Sequence, residues 1–199
     1  MATHDVTFWF DFGSPYAYFA HRRLPAFEKA TGAHVISKPF MLGSAFAQTG
    51  ARPLLDIPLK AAYAKIDLAR LARFYDVPFQ MPPNAPTVTL AAARIFYGLN
   101  ATDPAAATTF AKAVFDAAFA TGQDVSEQAV VKACLRESGL DEELAAMAQE
   151  PEWKQALKDA GAKATESGVF GAPFFVHDGE PFWGVERMDM LIAKLGPVS

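Results

Sequence analysis

The segment Phe10-Asp11-Phe12-Gly13-Ser14-Pro15-Tyr16 puts a hydroxyl between an apolar, β-prone run and a helix. Backbone N–H groups at such a junction, and the helix dipole behind them, favour an anion such as a thiolate beside Ser14. Serine is also among the best helix N-caps. The two roles coexist, because a cap faces the same spot. Ser14 as the nucleophile of a Ser-His-Asp triad needs a histidine base, and none of the four histidines stands in a motif. The pair Ala172-Pro173 opens a late β-prone run, where a proline without a ladder donor belongs at an edge or a turn. In Trp183-Gly184-Val185-Glu186-Arg187, Gly184 permits close approach of a ligand backbone, and Glu186 either holds an amino group or complements a helix dipole. Arg187 reads as half of a surface ion pair. Lys38 ends a strand and either meets a substrate carboxylate or is simply solvated. Asp67 and Arg70 lie three apart on one helix face and pair with each other.

Composition narrows the classes. The chain has 199 residues, 51% of them apolar, a net charge of −4 and no block of like charge. That is a globular composition without the basic surface of a nucleic-acid partner or a polybasic membrane anchor. No basic segment followed by an apolar one opens the chain, and no apolar run reaches membrane-spanning length, so a soluble, cytoplasmic protein is expected. Cys134 is the single cysteine. It cannot form an internal disulfide, a CxxC redox pair or a multi-thiolate zinc site. Its apolar helical surroundings predict a buried, inert thiol. The histidines show no HxxxH or HxH spacing, and no metal site is expected.

The elements that must position these residues follow from periodicity. Residues 6–11 read as a strand, 16–29 as a helix that Pro25 should kink or split, and 34–42 as a second strand interrupted or ended by Pro39. This is β-α-β, with parallel strands. From residue 43 to 167 the pattern is helical, over about 59–75, 87–99, 103–121, 126–138, 141–149 and 151–166. Asp103-Pro104 has the form of an N-cap before a helix-starting proline. Asp124 and Glu127 have capping-box spacing, with Ser126 as a rival cap. Strands return at "FFV" and "PFW", joined across Asp178-Gly179, a hairpin signal. A helix over 185–196, closed by Gly196, ends the chain. The result is an α/β, thioredoxin-like order, β-α-β then β-β-α, with a large all-α insertion. Residues 1–42 and 168–199 would form the thioredoxin-like domain and 43–167 the inserted helical domain. In that layout Pro173 is cis and faces the first helix, Ala172 can pair its backbone with an extended ligand, and Ser14 stands where a redox cysteine would.

Three stretches, "FDFGSPYAYFAHRRL", "YAKIDLARLARFYDVPF" and "VFGAPFFVHDGEPFWGVERMDML", together resemble the 2-hydroxychromene-2-carboxylate isomerases, and more broadly the kappa-class glutathione transferases and DsbA-type thioredoxin folds. The resemblance implies glutathione as cofactor, with Ser14 hydrogen-bonding its thiol. It implies that Ala172 and Pro173 meet the cysteinyl backbone and that Trp183, Gly184, Val185 and Glu186 bind the γ-glutamyl end. Lys38 and Arg52 fall where the family meets its aromatic substrate. The implied reaction interconverts 2-hydroxychromene-2-carboxylate and trans-o-hydroxybenzylidenepyruvate in aromatic-hydrocarbon breakdown. The thiolate adds to the conjugated carbon, the bond rotates, and elimination returns the thiol. A homodimer is implied as well. The chain departs from the family at Ala51, at Val88-Thr89 and at Val185-Glu186, where polar side chains are usual or an acidic one is shorter. Those departures keep two alternatives in view: a kappa-class-like transferase acting on another electrophile, and a non-catalytic thioredoxin-like binding module.

Overall fold

The computed structural model describes residues 4–197. The outermost residues of the two segments 1–42 and 168–199, residues 1–3 and 198–199, lie outside it. Strand β1 (Asp5–Phe10) pairs in parallel with β2 (His34–Pro39), and helix α1 (Pro15–Thr31) connects them. On its other side β1 pairs antiparallel with β3 (Phe174–His177), which forms a hairpin with β4 (Glu180–Trp183). The sheet order is β2-β1-β3-β4, the thioredoxin-like arrangement expected. Asp178 and Gly179 both have positive φ, 50° and 77°, the backbone of the type I′ turn that Asp-Gly predicts.

Alternation along β1 supplies both faces of the sheet. Val6, Phe8 and Phe10 point into a core shared with Tyr18 and Phe19 of α1 and with later helices. Phe8 stacks on its cross-strand partner Phe175 at 4.9 Å. Trp9 points the other way, into a smaller cluster with Phe40, Ala45, Ala164 and Phe174. Between β2 and β3 the chain is helical: α2 (Leu42–Thr49), α3 (Pro58–Tyr75), α4 (Leu90–Thr102), α5 (Pro104–Phe115), α6 (Gln128–Glu137) and α7 (Pro151–Glu166). Helix α8 (Met188–Leu195) closes the fold and packs on α1. Among the described residues no helix is long and apolar enough to cross a membrane.

Several expectations need correction. Pro25 neither splits α1 nor ends it: the helix runs unbroken from Pro15 to Thr31, with Pro25 on its exposed side. Buried Ala17 to Phe27 on the opposite face anchor the helix through the missing hydrogen bond. Helix α2 was not expected. It is short and carries glycine and serine in its first turn, so it has little periodicity to read. The helix expected at 87–99 begins only at Leu90. The one expected over 103–121 is α-helical to Phe115 and then takes a π-helical turn, Asp116–Ala120. Residues Glu142–Gln149 and Val185–Arg187 are 3₁₀ segments, so the last helix starts at Met188. Asp124 does not cap α6. Its Oδ1 accepts the N–H and the hydroxyl of Ser126, at 2.9 and 2.6 Å, and is committed to that turn before the helix begins at Gln128.

His21 is buried in α1 with its ring 5.0 Å from that of Phe115, and Nδ1 has no hydrogen-bond partner among the described residues. Burial holds its pKa down at about 4, although Asp116 nearby pulls upward. The unfolded imidazole titrates near 6.5, so the histidine contributes stability above that pH. This contribution is lost as pH falls from 6.5 through 4. We predict that denaturant unfolding of the wild type loses up to about 3 kcal/mol over that window relative to His21→Leu. Equal pH profiles would contradict a neutral buried His21.

Candidate functional site

At the end of β1 the chain turns through Asp11 into α1, and the Ser14 N–H donates to the Asp11 carbonyl at 2.9 Å. The Asp11 carboxylate is buried and takes three hydrogen bonds. Oδ1 accepts from the Gly13 N–H and the Thr89 hydroxyl, both at 2.8 Å, and Oδ2 from the Leu42 N–H at 2.8 Å. Burial raises its pKa above the usual carboxylate range, while the three donors oppose that shift. One side chain therefore fixes the junction, the start of α2 and the residue that precedes α4. Sequence reasoning missed it. The available signal was an aspartate two residues before a glycine, the spacing of an Asx turn. A Cβ on Gly13 would come within 3.2 Å of the Thr87 carbonyl, so this glycine admits the backbone of that loop.

Ser14 caps α1, accepting from the Ala17 N–H at 3.2 Å, and its hydroxyl donates to the Ala172 carbonyl at 3.2 Å. The Ala172-Pro173 peptide is cis. The Pro173 carbonyl accepts the Gly184 N–H at 3.0 Å. Gly184 has φ 104° and ψ 153°, a conformation for glycine alone. Arg23 of α1 donates to the Val185 carbonyl at 2.9 Å and to the Tyr75 hydroxyl at 3.3 Å, and it pairs with Asp189. Residues 158 positions apart thus converge: Ser14, Ala172, Pro173, Gly184 and Val185 form one hydrogen-bonded chain, with Arg23 as its brace. Val185 is buried, so it offers its backbone rather than its side chain. The Trp183 ring stays half exposed, edge-on to Phe170 at 4.8 Å. It lies over Gly171, where a Cβ would meet it at 2.5 Å. Glu186 is exposed and pairs with Arg187 at 3.3 Å, the surface ion pair expected of Arg187.

Tyr16, in the first turn of α1, donates to Asp67 of α3 at 3.2 Å. Burial, then the Asp67 carboxylate, pushes its phenol well above the ordinary tyrosine range, and Glu186 adds to the effect. Asp67 also takes Arg70 at 2.6 Å, the pairing their spacing predicted. Tyr16 and Arg23 are the further residues that sequence reasoning passed over. Both sit in "SPYAYFAHRR", where aromatic and basic residues are dense enough to hide individual roles.

Lys38 and Arg52 are not part of this chain of contacts. The Lys38 ammonium lies 5.3 Å from the centre of the Trp9 ring, in a cleft of about 240 Å³ shared with Tyr97, Asn100, Asp159 and Lys163. Burial, then Lys163, lowers its pKa. Arg52 is exposed in the connection after α2. Cys134 is buried, and burial pushes its thiol up to about 12, as an inert thiol requires. The junction therefore offers a hydroxyl, the Tyr16 N–H in a first turn where Pro15 has no N–H and Ser14 already takes that of Ala17, and a row of backbone polar groups, without a sulfur of its own.

The match to the DSBA-like thioredoxin domain model spans residues 5–196. The chain is 28% identical over 196 residues to a 2-hydroxychromene-2-carboxylate isomerase of Sphingobium xenophagum, covering 97% of this chain and 98% of that one. It is 24% identical to human glutathione S-transferase kappa 1, over 96% of this chain and 90% of that one. A solved structure of 2-hydroxychromene-2-carboxylate isomerase superposes with a TM-score of 0.88 at 25% identity, covering 96% and 94% of the two chains. On the span of that domain match, this chain belongs to the DSBA-like thioredoxin domain family.

Proposed function

We propose that the protein is a glutathione-dependent isomerase of the 2-hydroxychromene-2-carboxylate type. The observation that carries this reading is the Ser14 hydroxyl, held between the first turn of α1 and the Ala172 carbonyl in a chain with one cysteine, buried elsewhere. The neighbours named as chromene isomerases and kappa glutathione transferases support it. The residues present suit glutathione. The Ala172 carbonyl can accept a cysteinyl N–H, and the Ser14 hydroxyl, released from that carbonyl, can turn to the sulfur. The Gly184–Glu186 loop, braced by Arg23, offers backbone and a carboxylate to a γ-glutamyl amino group. Trp183 offers an exposed aromatic face beside them. When bound, glutathione supplies the nucleophilic thiolate that makes a conjugated double bond rotatable. This chain's part is to hold that sulfur ionised, through Ser14 and the helix N-terminus, and to position the acceptor.

A kappa-like transferase is the second reading, favoured by Ala51, which removes a polar group from the exposed connection expected to meet the substrate. The two readings differ in whether glutathione is consumed. We further propose a homodimer through α3. Leu59, Tyr63, Ile66 and Phe74 are exposed, to 88% in the case of Leu59, and recur along one side of that helix. A second copy of the same stripe covers them in a two-fold arrangement. The protein is proposed to act in the cytoplasm, on a small aromatic molecule.

Ser14→Ala is expected to lower kcat for chromene isomerisation by roughly 10- to 1,000-fold, measured spectrophotometrically with glutathione present on the folded variant, which loses about 1 kcal/mol of stability with the helix cap. Full wild-type activity in the absence of glutathione would sink the isomerase reading. Net loss of glutathione, one per turnover, would replace it with the transferase. Tyr63→Asp combined with Ile66→Asp is expected to convert a dimer to a folded monomer in sedimentation. A wild type that sediments as a monomer would contradict the proposed interface.

A further inference from the structure

A second cavity, of about 520 Å³, opens between α2, α4 and α7. Its volume lies within the range of small-molecule sites. Met41, Leu90 and Leu157 form apolar walls, and Arg94, Lys154 and Lys158 bring three cations against the single carboxylate of Glu166. Arg94 is fixed by a hydrogen bond from Nη1 to the Ala148 carbonyl at 3.1 Å, yet its Nε is buried without a partner among the described residues. That nitrogen is closed to solvent and to the cavity, so the guanidinium would meet a ligand through its Nη atoms alone. Gly161 is the second unusual feature. It sits inside α7, where glycine is a poor helix residue, and a Cβ there would meet only Ser44 Oγ, at 3.8 Å. Its lack of a side chain keeps the space between α7 and α2 open.

The cavity is built onto the Ser14 junction. Met41 and Leu90 adjoin Leu42 and Thr89, two of the three residues that donate to the Asp11 carboxylate. The Asp11 carbonyl in turn holds the Ser14 N–H. We infer that this cavity, with Arg94 as anchor and Lys154 and Lys158 at its rim, takes the carboxylate and ring of a planar aromatic monocarboxylate. The apolar walls suit the ring, and Glu166 disfavours a polyanion. The assignment rests on the proposed isomerase reading only for the choice of an aromatic acid as ligand. Lys38, in its separate cleft, is then not the carboxylate anchor.

The test is calorimetric titration of the full chain with chromone-2-carboxylate, beside neutral chromone. The wild type is expected to bind the acid at least tenfold more tightly than chromone. Gly161→Leu, which fills the cavity with a better helix former, and Lys154→Glu combined with Lys158→Glu are each expected to weaken binding at least tenfold. The melting temperature of Gly161→Leu is expected not to fall. Absence of binding to the wild type, unchanged binding by both variants, or loss of binding on Lys38→Ala instead would each overturn the inference. Glutathione, titrated separately, tests the other reading: if it fails to bind while the acid still binds in this cavity-dependent way, the glutathione proposal falls and the acid site stands.

Discussion

The buried carboxylate of Asp11 is the constraint on which the rest of the architecture turns. Its three hydrogen bonds tie together the turn into α1, the start of α2 and the threonine ahead of α4. A carboxylate taken out of water is tolerated only when its acceptor sites are matched, and here backbone and hydroxyl donors match them. The strand-to-helix junction consequently cannot drift relative to the helices inserted between β2 and β3. Gly13 lets the backbone at Thr87 close on the junction, and Phe12 packs against Phe96 and Phe115 from those inserted helices. Apolar packing and one polar hub thereby act on the same few residues.

That hub makes the serine meaningful. Ser14 caps its own helix and reaches across to Ala172, two backbone groups 155 positions apart (Ala17 and Ala172) joined by a single hydroxyl. The same peptide leads through Pro173 to Gly184 and then to the Val185 carbonyl, which Arg23 returns to α1. The resulting strip of backbone polar groups is suited to an extended ligand, and the helix N-terminus favours negative charge on it. A redox protein with this layout would carry its sulfur in the chain. This one carries a hydroxyl in that position, and Cys134 is buried in α6.

Much of the fold was legible. The apolar alternation of β1 and the Asp-Gly hairpin signal are strong local patterns, and Asp103-Pro104 caps α5 through Ala105 and Ala106 as its types predict. What escaped was decided by tertiary contacts. Helix α2 begins where Asp11 holds Leu42, a contact 31 positions away that no local window contains. Pro25 is carried through α1 by the buried face opposite it. Of the candidate site, the serine, the Ala-Pro pair and the Gly184 loop were singled out from residue type. Asp11, Arg23 and Tyr16 were not, because each acts on a distant backbone or side chain. Lys38 was read from its position at the end of a strand and from the family resemblance; its ammonium lies 5.3 Å from the centre of the Trp9 ring, which packs in the smaller cluster.

The task proposed for this junction is to hold the sulfur of a bound thiol as its anion. The direct measurement is the ultraviolet absorbance of the glutathione thiolate, titrated with pH in the complex with the wild type and with Ser14→Ala. Half-ionisation is expected at least one pH unit below that of a free thiol, near 8.5, with a return toward that value in the variant. A bound thiol that titrates like the free one, or that is unaffected by removing the Ser14 hydroxyl, would contradict it.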